Sequence, residues 1–403
     1  MIFTEYGDEL PPGRLHAFFR QRSVQRTDPL RTKQLVLLGG GHSHVEVLRR
    51  FGKDPPPDSQ LVLISPDPDS PYSGMLPGWI AGHYTRDDCH IDLTALAHFA
   101  NCRLVQTACA GIDLDAGLVL CANGMRLPYD VLSIDAGGRS PASDTPGAKE
   151  HALSVRPIDD FVPHWEDICD RTVRGQAPRR LAVVGGGAAG VEVLLAMQYR
   201  LRQLAPRTQV SFELVCDAGS ILLSHHESVR AIFMRVLEQR GVILHLAARA
   251  ERVERGVVRL SGGASVAADA IVWATGASAP LWPKSSGLAT DDGGFVRVNR
   301  LLQSVSHPQV FAAGDIASIA GEPRPKSGVY AVRAGPPLAN NLRRMLRGER
   351  LVEWMPQKHA LALITTGDRY AVASRGNLVL AGKWVWRWTN WIDRRFMQRY
   401  RNP

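Results

Sequence analysis

The most regular pattern in the chain is an apolar run, then a glycine-rich turn, then an amphipathic stretch. It first occurs at residues 34–52, QLVLLGGGHSHVEVLRRFG, and a second apolar run, LVLIS, follows at 61–65. The pattern recurs at 180–204, RLAVVGGGAAGVEVLLAMQYRLRQL, followed by VSFELVCDAG at 210–219. Short apolar runs bounded by turns predict buried strands, and apolar residues at 3.6-residue spacing predict helices. The chain therefore holds two predicted strand–turn–helix–strand units.

Short strand signals follow each unit, at 103–138 and 243–277, and each series ends in a small-residue turn. A similar ending, VFAAGDIA, occupies 310–317, and a helix is predicted from Tyr330 to Leu346. Two or three strands are predicted within 360–384, before a helix at 384–401. Strands alternating with helices indicate an α/β fold with parallel sheets.

Composition narrows the class of protein. Hydrophobic residues make up 45% and charged residues 22% of the 403 residues, which excludes a largely disordered or fibrous chain. No apolar stretch is long enough for a membrane span, and the first residues do not resemble a secretory signal. The six cysteines are scattered without a C-x-x-C pair, which favours a reducing, cytoplasmic setting.

The two glycine turns carry the candidate chemistry. Gly185, Gly187 and Gly190 match G-x-G-x-x-G, whereas Gly39 and Gly41 match only its first two positions because His44 replaces the third glycine. Such a turn lets the backbone and the start of a helix approach a pyrophosphate. One copy is compatible with other α/β proteins, but two copies in this context predict two dinucleotide sites.

The acid that binds ribose is expected about 20 residues after such a turn. The first unit offers Ser65 at the end of its second apolar run, and the second offers Asp217. A carboxylate there accepts hydrogen bonds from ribose hydroxyls and repels a 2′-phosphate. Asp217 therefore favours NADH over NADPH.

These features resemble the pyridine nucleotide–disulfide oxidoreductase superfamily, flavoproteins with two dinucleotide-binding domains. The matching segments are the two turns and the endings at 135–137, 273–276 and 312–315. They span residues 34–346, which is nearly all of the predicted catalytic region. The resemblance implies FAD on the first turn and NAD(P)H on the second, with the acid of the A-G-D ending on the ribityl chain. The cofactor-binding residues it implies are Gly39, Gly40, Gly41, His42, Ser43, His44, Ser65, Gly137, Gly185, Gly187, Gly190, Asp217, Thr275, Gly276, Gly314 and Asp315.

The same resemblance predicts the domain organisation. An N-terminal extension covers 1–33, with a short helix near Arg14–Arg20. The FAD-binding domain takes 34–155 and 281–348, and the NAD(P)H-binding domain, 156–280, is inserted into it. A C-terminal region of strands and an amphipathic helix covers 349–403.

Within the superfamily the chain resembles the type II NADH dehydrogenase branch. The segments YSGMLPG (72–78) and NWIDRRFMQRY (390–400) look like the dehydrogenase-like domain associated with selenophosphate synthetase. Two departures matter: the C-x4-C pair of disulfide reductases is absent, and 328–333 lacks both glutamines of the A-Q-x-A-x-Q quinone motif. The acceptor therefore stays open between a quinone and a sulfur or selenium species.

Two catalytic residues are implied by the resemblance. Glu192 occupies the place where the superfamily has a glutamate that reaches the nicotinamide; the alternative is a solvated acid favoured by the helix dipole. Lys326 precedes the 330–346 helix and is expected near the flavin; the alternative is a surface lysine. No metal site and no nucleic-acid partner are predicted.

The C-terminal helix concentrates charge and aromatic residues. Residues 383–401 contain six basic side chains and one acid, within a chain of net charge +9. Its broad apolar face of Trp384, Trp388, Trp391 and their neighbours is typical of a helix lying in a membrane surface. We expect peripheral attachment to anionic lipid at the inner face of the membrane. Docking on its own domain or on a partner in a homodimer is the alternative.

The sequence thus predicts an FAD-dependent NAD(P)H oxidoreductase without a redox disulfide. The alternative is a membrane-attached, flavin-binding accessory protein of selenium metabolism with little turnover. The partners expected from the resemblance are a small-molecule electron acceptor and a link to selenophosphate synthetase.

Overall fold

The first apolar run forms the central strand of a parallel sheet in the computed structural model, which describes residues 32–403. Residues 1–31 of the predicted N-terminal extension, including the helix near Arg14–Arg20, lie outside the described residues. The elements of the first part are β1 (Lys33–Leu38), α1 (His42–Lys53), β2 (Ser59–Ser65), β3 (Asp69–Pro71), α2 (Leu76–Ile80), α3 (Arg86–Cys89), β4 (His90–Asp92), α4 (Leu93–Phe99), β5 (Cys102–Gln106), β6 (Cys109–Asp113), β7 (Leu118–Cys121), β8 (Arg126–Pro128), β9 (Val131–Ile134) and α5 (Ala148–His151).

The second glycine turn belongs to a second parallel sheet, in which β11 is again the central strand. The sheet order is β10-β17-β11-β12-β13, and all its neighbours pair in parallel. The elements of this part are β10 (Leu153–Ser154), α6 (Ile158–Val173), β11 (Arg180–Val184), α7 (Ala188–Leu204), β12 (Ser211–Val215), α8 (Glu227–Gln239), β13 (Ile243–His245), β14 (Ala250–Glu254), β15 (Val257–Leu260), β16 (Ser265–Ala267) and β17 (Ala270–Trp273).

The remaining chain completes the first sheet and then adds a C-terminal region. Strand β19 joins the first sheet, whose order is β19-β9-β1-β2-β5. The elements are α9 (Trp282–Ser285), β18 (Val296–Val298), β19 (Val310–Ala312), β20 (Ala317–Ile319), α10 (Gly328–Arg347), β21 (Ala362–Thr365), β22 (Ala371–Arg375), β23 (Leu378–Gly382) and α11 (Lys383–Arg401).

Alternating side chains of β1 enter two different cores. Leu35 and Leu37 pack into one hydrophobic cluster, and Val36 and Leu38 pack into another on the opposite face. Both faces are buried because a parallel sheet is covered on each side, which explains the continuous apolar run. The prediction of an α/β fold with two Rossmann-like sheets is confirmed. The strands of the second sheet lie in the chain between β9 and β19; the domain boundaries themselves stay a prediction.

The C-terminal region contacts both halves of the protein. The turn after β21 packs closely on α7, because a Cβ atom at Gly367 would lie 2.6 Å from the carbonyl oxygen of Leu195. Arg240, at the end of α8, forms a 2.6 Å ion pair with Asp368 in the same turn. Helix α11 packs on the other half, where the Tyr400 hydroxyl donates to the Glu46 carboxylate of α1 at 3.0 Å. The region therefore braces one sheet unit against the other.

The fold divides the apolar residues of α11 between two surfaces. Phe396, Met397 and Tyr400 are buried in the core cluster that includes α1 and α10, and the Phe396 ring stacks on Tyr72 at 4.3 Å. Trp384 and Trp391 are 53% and 55% exposed. The helix is thus docked on its own chain through one face while part of the predicted apolar face meets solvent. None of the helices in residues 32–403 is long and apolar enough to cross a membrane.

Candidate functional site

The second glycine turn leaves a row of backbone amides open at the start of α7. A Cβ atom at Gly190 would collide with the Gly185 carbonyl oxygen, so only glycine permits this close packing. Gly187 faces open space, and within the described residues the amides of Ala188, Ala189 and Gly190 donate to no protein acceptor. Free amides at a helix N-terminus bind anions such as a pyrophosphate.

The ending of β17 lies against this second turn. Ala274 donates its amide to Val184 at 2.8 Å, which holds the ending beside β11. The Thr275 hydroxyl is buried without a hydrogen-bond partner among the described residues, and Gly276 borders open space. A buried hydroxyl without a partner is costly unless a ligand or water bonds it. The Thr275 hydroxyl is therefore available to bond a ligand or a water molecule.

His44 stands at the third glycine position of the first turn, and its ring forms hydrogen bonds within the protein. Its Nδ1 lies 2.6 Å from the Gly39 carbonyl oxygen and its Nε2 lies 2.8 Å from the Ser133 hydroxyl. Burial lowers the pKa of His44 to about 4, so the ring is neutral at neutral pH. In the second turn Gly190 packs directly against Gly185, whereas in the first turn the His44 ring fills the equivalent space. Its role is to hold the turn from within the protein.

Asp135 places a carboxylate at the start of α1, where the second turn has none. Its Oδ2 accepts the amides of Ser43 at 2.7 Å and His44 at 3.1 Å. A Cβ atom at Gly41 or Gly314 would collide with this carboxylate, so both glycines are needed to admit it. The amides of Gly40 and His42 meet no protein acceptor in residues 32–403 and stay available to a phosphate.

The other first-turn residues surround these amides. Ser65 is buried at the end of β2, and its hydroxyl approaches Gly40, where an added Cβ atom would lie 3.3 Å from it. The Ser43 hydroxyl donates to Ala331 of α10 at 2.7 Å, so its side chain fixes α1 to α10. The His42 ring lies 5.5 Å from that of Tyr72, and burial lowers its pKa to about 4.

The acid of the A-G-D ending has a partner that the sequence does not reveal. The Asp315 carboxylate accepts a 2.7 Å ion-paired hydrogen bond from Arg156, which follows β10 of the second sheet. Gly314, just before it, has φ of +71°, a conformation that glycine tolerates best. Arg156 therefore reaches from one sheet unit into the candidate site of the other.

The two sites are joined directly at their strand endings. Arg139 and Ser278 exchange backbone hydrogen bonds of 2.8 and 3.0 Å, forming an antiparallel bridge. The residues just before them also touch, since a Cβ atom at Gly138 would lie 2.9 Å from the Cβ atom of Ala277. Gly137 and Gly276 lie one residue further toward the turns and face open space. This bridge places the two glycine turns at one interface.

Comparison with known proteins agrees with this arrangement. The family model described as pyridine nucleotide-disulphide oxidoreductase matches residues 33–335. The chain belongs to this family. A Bacillus subtilis relative, NADH dehydrogenase-like protein YutJ, is 26% identical over 330 residues, which cover 81% of this chain and 87% of the relative.

Solved structures show the same fold. The sulfide:quinone oxidoreductase of Aquifex aeolicus superposes with a TM-score of 0.77 at 19% identity, covering 92% of each chain. The NDH2 of Plasmodium falciparum, solved with NADH, gives a TM-score of 0.75 at 15% identity and covers 93% of this chain and 99% of its own. The predicted superfamily is confirmed; an association with selenophosphate synthetase is not part of these findings.

This family of oxidoreductases uses flavin and nicotinamide cofactors, and the turns fit such a pair. The second turn fits a dinucleotide through its open amides. The first turn fits one through the amides of Gly40 and His42 and through Asp315, although Asp135 takes two further amides. Asp217 is exposed just after β12. The roles of the individual residues in both turns stay predictions.

Glu192 is bound to the C-terminal region rather than solvated. Its Oε1 accepts the amide of Thr365 at 2.7 Å and the Thr365 hydroxyl at 3.0 Å. Burial raises the pKa of Glu192 to about 7, although the two Thr365 bonds oppose that rise. A carboxyl with a pKa near 7, one turn into α7, can hold or release a proton at neutral pH.

Lys326 lines a cavity of about 220 Å3 that reaches Gly314 and Asp315. Its Nζ donates to the Ala317 carbonyl oxygen and lies 3.9 Å from the centre of the Phe295 ring. Burial lowers the pKa of Lys326, and the charges of Asp291 and Asp315 oppose that change. Lys326 is therefore partly buried and is held at the wall of this cavity by these contacts.

Proposed function

We propose that this chain is an FAD-dependent NAD(P)H oxidoreductase that passes electrons to a quinone, or to a sulfur or selenium acceptor, without a redox disulfide. The observation that carries the proposal is the bridge between Arg139 and Ser278, because it brings two dinucleotide turns to one interface. When bound, the two dinucleotides supply hydride transfer, and the chain binds and orients them. The resemblance to NADH dehydrogenase-like YutJ supports this assignment.

Each turn has a separate role in the proposal. The second turn holds the nicotinamide dinucleotide, with Gly187 clearing space for the pyrophosphate and Asp217 favouring NADH. The first turn holds FAD, with Asp315 accepting ribityl hydroxyls. Glu192 holds a proton near the nicotinamide, and Lys326 provides a positive charge near the flavin.

The cysteines support direct transfer between the cofactors. Cys102 is buried, and burial raises its pKa to about 12. Cys109 is partly buried, and burial raises its pKa to about 12 as well. Because the thiolate is the reactive form, neither residue is suited to a redox relay at neutral pH.

The experiment that tests the proposal is an acceptor screen on purified protein. We expect a yellow protein with non-covalent FAD whose flavin absorbance is bleached by NADH and restored by one acceptor class. The acceptors to compare are a short-chain quinone, polysulfide and selenite. A protein that purifies without flavin and takes up none, or a flavin that NADH does not bleach, would contradict the proposed activity.

Asp315→Ala should weaken FAD retention. The substitution removes the acceptor for the ribityl hydroxyls and leaves Arg156 without its partner. Loss of hydrogen bonds to a charged group costs about 1.5–3 kcal/mol, which corresponds to about 10- to 100-fold weaker binding. FAD affinity, measured by fluorescence after removal and return of the flavin, reports the change. Asp167→Ala, which breaks an exposed ion pair with Arg171 on α6, is the matched control.

Peripheral membrane attachment is also part of the proposal. Trp384 and Trp391 are exposed on α11 beside the exposed Arg387, Arg395 and Arg399. The Arg395 guanidinium lies 5.1 Å from the Trp391 ring, so charge and indole form one surface. Exposed tryptophan beside basic residues suits an anionic lipid surface, and the surface would lie on the cytoplasmic face of a membrane.

Replacing both Trp384 and Trp391 by Ser should lower binding to phosphatidylglycerol vesicles at least about tenfold, because buried apolar area contributes about 25 cal/mol per Å2. Raising the salt concentration should weaken wild-type binding as well, since arginine–phosphate attraction is screened. Co-sedimentation with vesicles measures both effects. Leu281→Ser, at a residue 77% exposed outside α11, is the control. Wild-type protein that stays in the supernatant at low salt would refute the attachment.

A second candidate function is an accessory flavin-binding protein of selenium metabolism with little turnover. The observation that favours it is the start of α10, where the quinone motif is missing and Gly328 closes against Ser73. A Cβ atom at Gly328 would lie 2.8 Å from the Ser73 hydroxyl oxygen, which leaves little space. Rapid bleaching by NADH without reoxidation by any acceptor in the screen would favour this candidate over the enzyme.

A further inference from the structure

The internal duplication allows the two turns to be compared residue by residue. Gly39 corresponds to Gly185. A Cβ atom added at either glycine would overlap the backbone carbonyl oxygen of the adjacent strand ending. The ending residue is Asp135 in the first unit and Ala274 in the second. Each donates its amide at 2.8 Å to the strand before its own glycine turn, to Leu38 and Val184 respectively. Asp135 and Ala274 are therefore equivalent positions with different side chains.

The difference changes what the start of each helix offers to an anion. In the first unit Asp135 accepts the amides of Ser43 and His44, whereas the equivalent amides of Ala189 and Gly190 donate to no protein group in residues 32–403. Asp135 is only 2% exposed and lies where two glycines make room for it. The first turn thus carries a resident anion at the place where the second turn is free to bind one.

The groups around Asp135 leave its charge poorly compensated. Asp315 is a second anion beside it, and the nearby cation, Arg156, is paired with Asp315 rather than with Asp135. His42 and His44 are kept neutral by burial, which lowers the pKa of each to about 4. Burial raises the pKa of Asp135 to about 7, with the amides of His44 and Ser43 opposing the rise and Asp315 adding to it.

We infer that Asp135 competes electrostatically with the diphosphate of FAD for the N-terminus of α1, so that FAD is held tightly when Asp135 carries a proton and released when it is ionised. The inference rests on the proposed function, because it requires FAD on the first turn. Two anions at one helix N-terminus repel each other, and the low dielectric of the buried site strengthens that repulsion. The second turn, with Ala274, should bind its dinucleotide without this dependence.

The test is the FAD dissociation constant of the wild type and of Asp135→Asn between pH 5.5 and 8.5. For the wild type we expect affinity to fall by about tenfold per pH unit once Asp135 ionises, if only the protonated form binds. Asparagine keeps an oxygen acceptor for the two amides without the charge, so its FAD affinity should stay level across the range. At pH 8.5 the variant should bind FAD at least about tenfold more tightly than the wild type.

Asp135→Ala provides a second variant, since it gives the first turn the residue of the second. It should also show level FAD affinity. Burial also raises the pKa of Glu192 and of Asp393 to about 7, so either group could cause a pH dependence in this range. If the pH dependence of FAD affinity disappears when Asp135 alone is changed, Asp135 is the group responsible. Affinity for NADH should be unchanged in both variants at every pH.

The outcomes separate this inference from the proposed function. A wild-type affinity that is independent of pH, or an Asp135→Asn slope parallel to that of the wild type, would overturn the inference while leaving FAD binding intact. Failure of wild type and variants alike to bind FAD at any pH would refute the proposed function itself.

Discussion

Gly187→Val should abolish reduction by NADH while leaving the protein folded and its FAD in place. Gly187 precedes α7 with φ of −76° and ψ of 178°, a conformation open to any residue. Chain neighbours apart, no atom lies within 4 Å of the position a Cβ atom would take, so the branch point of the valine fits without a clash. Its side chain instead fills the space beside the open amides of Ala188 and Ala189, where the pyrophosphate is expected.

The size of the effect follows from the hydrogen bonds that the diphosphate would no longer make. A diphosphate excluded from the helix N-terminus gives up several charge-assisted hydrogen bonds at about 1.5–3 kcal/mol each, so we expect at least about a hundredfold drop in NADH affinity. Stopped-flow bleaching of the flavin measures this drop, and flavin content and thermal unfolding verify the fold. Gly190→Ala is the contrasting variant, since its Cβ would collide with the Gly185 carbonyl oxygen and disturb the turn itself. Loss of FAD with NADH binding retained would mean that the cofactors are assigned to the wrong turns.

The parts of the fold that sequence predicts well are those encoded by neighbouring residues. The apolar runs around residues 35–38 and 181–184 and the turns after them appear as strands and turns because periodicity and glycine spacing are local signals. Helix α10 begins at Gly328, two residues before its predicted start, and ends at Arg347. Helix ends are set by capping and packing more than by pattern, so small differences there are expected.

The parts that sequence does not reveal depend on contacts between distant residues. The Arg156–Asp315 pair joins residues 159 positions apart, and no spacing rule announces it. Asp135 is recognisable in the sequence as part of a strand ending, but only the folded turn shows its carboxylate on the amides of Ser43 and His44. The alignment of Asp135 with Ala274 is the signal that could have found it. The replacement of glycine by His44 is plain in the sequence, whereas its bond to Gly39 requires the structure.

The C-terminal helix shows why an apolar face alone does not identify its partner. The pattern predicts a broad apolar surface for a membrane, and on that basis deletion of 384–403 would leave flavin reduction intact. In the structure Val385 and Phe396 of that face are buried against the protein, while Trp384 and Trp391 are exposed. The helical projection cannot separate these two groups because they occupy adjacent parts of one face.

Deleting residues 384–403 should therefore prevent accumulation of folded, flavin-loaded protein. The deletion removes Phe396, Met397 and Tyr400 from a core cluster. It also removes Asp393, which accepts the Tyr72 hydroxyl, and one of the hydrogen-bond donors to Glu46. Truncating one buried phenylalanine to alanine costs about 3–5 kcal/mol, and a typical protein is stable by only about 5–15 kcal/mol. Removing three large buried side chains should use up most or all of that stability.

Single substitutions on the two faces of α11 should have different effects on stability. Phe396→Ala should lower the melting temperature of the loaded protein by several degrees and promote flavin release, because the Tyr72 ring stacked on it at 4.3 Å loses its support beside His42. Trp391→Ala, on the exposed side of the same helix, should change the melting temperature little while weakening vesicle binding. A truncated protein that stays soluble, retains FAD and is still bleached by NADH would show that the docked face of α11 is dispensable for folding and flavin reduction.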